Sequence, residues 1–192
     1  MKIKNWVLIA CLLCFITEVM KAQVYSFENK KVPEEWSIDG GKLEVSRLKY
    51  KEGKQSLKVV WDKNAIVRFT GKESLDAASR SVNGGITARI YNEVPVTEYM
   101  YFSFADESGA EMCRLPFRMD FKGWRCVWAK FREDMLMKPG TVITSCAMIM
   151  PENVETGTIY LDYVEFTPTV SWQKMSDAQY KVCLLYTSPS PR

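Results

Sequence analysis

Beyond residue 23 the chain reads as short segments of alternating or near-continuous apolar residues, separated by turn-forming residues. The segments are 24–28, 42–48, 55–61, 65–69, 85–91, 99–105, 111–121, 124–131, 141–150 and 158–166. The clearest is 111–121: Cys113, Leu115, Phe117, Met119 and Phe121 fall on one side, Arg114, Pro116, Arg118 and Asp120 on the other. That period of two predicts a half-buried strand with one wet face. Turns are predicted at Gly40-Gly41, Glu52-Gly53, Asn83-Gly84-Gly85, Ser108-Gly109, Pro139-Gly140 and Thr156-Gly157, where glycine allows the left-handed backbone that such turns use. Helix is expected only as one or two turns at 72–79 and at 132–137. Strands at this spacing, without a βαβ rhythm or an internal repeat, predict an all-β fold: an antiparallel jelly-roll β-sandwich over residues 23–168.

Composition supports a packed core, with 47% hydrophobic and 12% aromatic residues. The first 22 residues carry Lys2 and Lys4, then an apolar run from Trp6 to Ile16, then Ala22 before Gln23. This predicts a signal peptide cleaved after Ala22 and a secreted or periplasmic product. The run is too short for a membrane span. Leu8-Ile9-Ala10-Cys11 resembles a lipobox, but only five apolar residues precede Cys11, so a lipoprotein anchor is the weaker reading. Removing the signal leaves 23 basic and 22 acidic residues, a balance that gives no reason to expect nucleic acid as a partner. A monomer is expected.

Cys11 and Cys14 lie in the signal and Cys183 near the end, which leaves Cys113, Cys126 and Cys146, each within an apolar run. They are expected as buried small hydrophobes; a single disulfide among them is the alternative.

The sequence contains no histidine, which removes Ser-His-Asp arrangements, His acid–base catalysis and His metal sites from this chain. The nine tyrosines carry no catalytic motif around them. The adjacent carboxylates Glu34-Glu35, Asp106-Glu107 and Glu133-Asp134 fall at turns or strand ends, where solvated charge is the ordinary state. No catalytic residue is assigned.

The order of several motifs resembles one family. "VYSFENKKVPEEWSIDGGKLEVSRLKYKEGKQSLKVVW" (24–61), "ARIYNEVP" (88–95), "YMYFSF" (99–104), "FRMDFKGWRCVWAKF" (117–131), "GTIYLDYVEF" (157–166) and "SWQKMSDAQYKV" (171–182) resemble, in sequence, the N-terminal domain of chondroitin sulfate ABC lyases. The resemblance implies a jelly roll that precedes a helical toroid bearing the catalytic His, Tyr, Arg and Glu, in an enzyme that cleaves chondroitin and dermatan sulfates by β-elimination. It also implies that 169–182 begins the passage toward that catalytic domain, which would be missing here. "CLLYTSPSPR" (183–192) resembles nothing in the family at that point. It reads as a non-native tail, with the natural sequence interrupted near Val182.

Jelly-roll carbohydrate modules often tie their first strand to their last through a cation. Glu28, Asp162, Gln55 and the carbonyl of Ser26 are the candidate ligands for structural calcium, or for sodium if fewer charges converge. For a sulfated glycosaminoglycan partner, Arg89, Arg114, Arg118 and Arg125 are the candidate cations and Trp124 the candidate stacking ring, with Trp128 on the same strand side. Core tryptophans and a merely solvated arginine face stand as the alternative. Two rival functions also stand open: an independent carbohydrate-binding module for a neutral glycan, and a purely structural domain.

Overall fold

A computed structural model describes residues 23–170. The signal peptide expected at 1–22, most of the passage at 169–182 and the tail at 183–192 lie outside the described residues. Among the described residues, nine strands and one helix follow in order: β1 (Gln23–Tyr25), β2 (Trp36–Ser46), β3 (Ser56–Phe69), α1 (Lys72–Arg80), β4 (Gly85–Asn92), β5 (Tyr99–Ala105), β6 (Glu111–Arg118), β7 (Gly123–Lys130), β8 (Ser145–Ile149) and β9 (Thr156–Thr167). All pairings are antiparallel. The order across the sheet is β6-β5-β8-β3-β9-β4-β7, with β2 on β3 and β1 on β9. This is the expected all-β jelly roll.

One long strand joins the two halves of the sandwich. Leu57–Asp62 of β3 pair with β9, whereas Ile66–Phe69 pair with β8. The strand turns between them at Asn64, whose φ is 64°. The sequence predicts two strands here, because Asp62-Lys63-Asn64 interrupts the apolar pattern; asparagine tolerates this backbone region, so the polar break becomes a bend rather than an end. β2 follows the same bend through a register shift between Asp39 and Gly41. A Cβ at Gly41 would strike the Val60 carbonyl, so the close approach of the two strands requires glycine there.

The core lies between the halves. Val67, Phe69, Phe102 and Met148 line the same interior gap as Ile86, Ala88, Leu161 and Phe166. Phe69 stacks on Phe166 with centroids 4.7 Å apart, which joins the two walls. Burying each such side chain stabilises the fold by about 1.5–3 kcal/mol. Helix α1 places Leu75 and Ala78 into this core and packs against β9. The second expected helical turn, at 132–137, is instead an irregular hydrogen-bonded turn in which Met137 N–H donates to the Phe131 carbonyl. Met135 and Met137 are buried there, and Leu136 takes a φ of 56°.

Cys113, Cys126 and Cys146 are all buried, and Cys113 and Cys146 are free thiols. Cys113 and Cys146 both register against Phe104 from the strands on either side of it. Pro116 sits on β6, an edge strand, where its missing N–H costs no ladder bond. No described helix is long and apolar enough to cross a membrane.

Candidate functional site

The β2–β3 hairpin ends in a tip, residues 47–54, and distant carboxylates hold it. Asp162 on β9 accepts hydrogen bonds from Lys51 N–H at 2.7 Å and Glu52 N–H at 2.9 Å through the same oxygen, Oδ2. Glu28 Oε1 accepts from Lys54 N–H at 2.9 Å and Gln55 N–H at 3.0 Å, and the Gln55 side-chain amide donates back to the Glu28 carbonyl at 2.8 Å. Ser56 Oγ closes the tip by donating to the Lys49 carbonyl. Gly53 allows the turn: its φ is 67°, and a Cβ there would collide with the Glu28 carboxylate.

Asp162 is 0% exposed. Burial raises the pKa of its carboxyl, opposed by the N–H groups of Glu52, Lys51 and Tyr163 and by the nearby Arg89 charge. Its other oxygen, Oδ1, is buried without a hydrogen-bond partner. An orphaned carboxylate oxygen is costly in the interior and is the kind of atom a cation satisfies. The structure thus brings Glu28, Gln55 and Asp162 onto one hairpin tip. Ser26 lies between β1 and Glu28. Among the described residues no three Asp, Glu, Cys or His side chains converge, so backbone carbonyls would have to complete a calcium shell around Asp162.

The expected glycan-binding residues fall into separate places. Arg89 is 6% exposed, not on a wet face as the sequence suggests. It is opposite Asp162 in the β4–β9 register, forms an ion pair with Glu52 and lies 4.7 Å over the Tyr163 ring. Arg118 and Arg125 meet at Asp120, at 2.9 and 3.3 Å. Arg125 also lies 4.3 Å over the Phe121 ring. Arg114 stands apart on β6, held by Glu111 at 2.7 Å and lying 5.3 Å from the Tyr101 centroid. The exposed Arg114 and Arg118 do share the outer face of β5–β6 with Tyr99 and Tyr101, two rings the sequence reading did not single out.

Trp124 is on the opposite half. It is half-buried and meets Tyr91 edge to face at 5.5 Å; Tyr91 in turn meets Tyr160 at 5.9 Å. The three occupy one row across β7, β4 and β9. The Tyr160 hydroxyl donates to Glu93 Oε1 at 3.2 Å. Burial, reinforced by Glu93, pushes its pKa up to about 12, and burial pushes Tyr25 to about 12 as well. Neither phenol ionises at neutral pH, so neither is poised as a base. Asn92, the N of the "IYNE" motif, is buried and its amide nitrogen reaches the carbonyls of Val94, Met119 and Phe121 at 2.9–3.0 Å. That asparagine is a structural clasp between β4 and the segment after β6.

Comparison with known proteins places this arrangement. The chain is 26% identical over 168 residues to the chondroitin sulfate ABC exolyase of Bacteroides thetaiotaomicron, covering 84% of this chain and 16% of that enzyme. It is 25% identical over 198 residues to the chondroitin sulfate ABC endolyase of Proteus vulgaris, covering 86% of this chain and 19% of that enzyme. The chain therefore spans under a fifth of the length of these relatives. Among solved structures, a family 22 xylan-binding domain from Paenibacillus barcinonensis superposes with a TM-score of 0.52 at 13% identity, over 79% of this chain and 97% of that domain. That likeness concerns the fold. The model of the family described as "Lyase, N terminal" matches residues 21–182, and the chain belongs to that family.

Proposed function

We propose that this chain is the non-catalytic N-terminal domain of a larger exported chondroitin and dermatan sulfate lyase. In this reading it assists substrate binding or packs on the catalytic toroid of the same polypeptide. The observation that carries the reading is the family match over 21–182 to a domain whose chondroitin lyase relatives are five- to sixfold longer than the matched region. Residues 1–22 direct export in this reading, and the mature chain starts at Gln23. Of the arginines expected to meet a sulfated glycan, Arg114 and Arg118 reach solvent, and Trp124 is the stacking candidate on the other half. Structural calcium, held by Asp162 with Glu28, Gln55 and the Ser26 carbonyl as the further candidates, would order the first and last strands; the orphaned Asp162 Oδ1 supports this.

Titration with chondroitin sulfate oligosaccharides tests the binding role. Salt-sensitive binding is expected, weaker in the Arg114→Ala/Arg118→Ala double variant. Salt-insensitive binding to neutral glycans instead would favour an independent carbohydrate-binding module, and no glycan binding would leave only the packing role.

A further inference from the structure

We propose that the β2–β3 hairpin tip, Arg47–Lys54, is a contact site for an anionic glycan, using Lys49, Lys51, Lys54 and Arg47 with the rings of Tyr50 and Tyr91. The proposal rests on the glycan-binding reading above and names a surface that reading does not include. The described residues hold 20 Lys and Arg against 21 Asp and Glu, so the domain as a whole does not attract polyanions. Yet four of those cations fall within the eight residues of the tip, beside one acid, Glu52. Glu52 is engaged by Arg89.

The cations on the β5–β6 face and beside it are already neutralised. Arg68 pairs with Asp39, Arg114 with Glu111, and Arg118 and Arg125 with Asp120, at 2.7–3.3 Å. An incoming sulfate there must displace a carboxylate. In the tip, among the described residues, no carboxylate pairs with any of the four cations. Arg47 meets the neutral Gln55 side chain at 3.5 Å, and Lys49 lies 5.2 Å from the Tyr91 centroid.

The tip is also pre-shaped. Six hydrogen bonds from Lys51, Glu52, Lys54, Gln55 and Ser56 hold its backbone or its base. Binding there orders side chains but not the loop, which keeps the entropic cost low. Tyr50 remains 47% exposed and Leu48 72% exposed beside the cations. From Lys49 the surface continues over Tyr91 to Trp124. Clustered cations, one of them (Lys49) against a ring, match a glycan, whose pyranose C–H faces stack on aromatics while its carboxylates and sulfates meet lysine. The negative balance elsewhere in the domain disfavours a long nucleic acid wrapping the surface.

The test uses the full chain at a fixed calcium concentration. Three probes are titrated: a chondroitin sulfate tetrasaccharide, its unsulfated counterpart, and a single-stranded DNA oligonucleotide of matched charge. The Lys49→Ala/Lys51→Ala/Lys54→Ala variant is compared with wild type and with Arg114→Ala/Arg118→Ala, each with its melting temperature recorded. A Lys51→Glu single variant serves if the triple variant melts early. The expected result is that the triple variant binds the sulfated probe about tenfold or more weakly, with a shallower salt dependence. Wild type should bind the sulfated probe more tightly than either of the others. If the triple variant binds as wild type does, while Arg114→Ala/Arg118→Ala loses affinity, the tip is not the site and the glycan-binding reading stands. Equal binding of DNA would make the tip a nonspecific polyanion contact and overturn the proposal. Failure of wild type to bind any glycan overturns both the tip proposal and the glycan-binding role, and leaves only the packing role.

Discussion

Asp162 Oδ2 accepts the Lys51 N–H at 2.7 Å across a sequence separation of 111 residues, so the last strand holds the tip of the first long hairpin. Removing this carboxylate strands two backbone donors and takes a counter-charge from Arg89. Asp162→Ala is expected to cost about 3 kcal/mol, read as a lowered urea midpoint. Asp162→Asn, which keeps an acceptor oxygen, should cost less. After chelation, added calcium should raise the melting temperature of wild type and not that of either variant. An unchanged wild-type melting temperature would argue against the cation.

Gly53 gives a second handle on the same tip. Alanine there meets both an unfavourable φ of 67° and the Glu28 carboxylate. Gly53→Ala should destabilise the domain by about 1–2 kcal/mol. It should also weaken glycan binding without removing a charge, because the cations lose their fixed spacing. Unfolding curves and the sulfated-oligosaccharide titration check both effects.

Asn92 separates shape from charge. Three carbonyls surround its amide nitrogen, so an acceptor in that place is repelled. Asn92→Ala should cost about 1–3 kcal/mol. Asn92→Asp, closer in shape, should be worse, since it buries a carboxylate against those oxygens. Comparing the two variants by chemical denaturation decides it; an aspartate variant more stable than the alanine one would refute the clasp.

The buried thiols should be silent. Burial, with Glu111 nearby, pushes Cys113 up to about 12, and burial pushes Cys146 up as well. A thiol is alkylated as its thiolate, and an ordinary one ionises near pH 8.5. Raising pH from about 7 to about 10 should therefore leave iodoacetamide labelling of these two cysteines unchanged in the folded chain. Labelling should appear on unfolding in urea. Peptide-resolved mass spectrometry distinguishes them from Cys11, Cys14 and Cys183.

Alternation carried most of the fold. Residues 99–105 form β5 with the bounds the sequence predicts, because a clean period of two leaves no competing register. The alternation of 111–121 likewise matches the burial of Cys113, Phe117, Met119 and Phe121. Residues 141–150 were harder: only Ser145–Ile149 pair, since the segment after Pro139-Gly140 hydrogen-bonds as a loop before joining the sheet. Asp162 stood out because an acid amid "IYLDYVEF" is costly to bury alone. The charged tip did not. Lysines at a hairpin turn are what any solvated loop shows, and only the pairing of every arginine beside β5–β6 makes the tip unusual. Arg89, on the polar side of its strand pattern, is buried because the hairpin tip covers it and pairs it with Glu52. A strand pattern cannot tell that a neighbouring hairpin folds over one of its polar positions.

The placement of β9 has a consequence for synthesis. It pairs with β1, β3 and β4, and so lies in the middle of a sheet to whose edges earlier residues belong. Until Thr167 has left the ribosome, the sheet lacks the strand that pairs with both the bent β3 and β4. A nascent chain stopped earlier holds Phe69 and Ile90 without the strand that brings Leu161 and Phe166 between them. Acquisition of protease resistance should thus be abrupt and late, arriving with the final tenth of the domain rather than accumulating strand by strand.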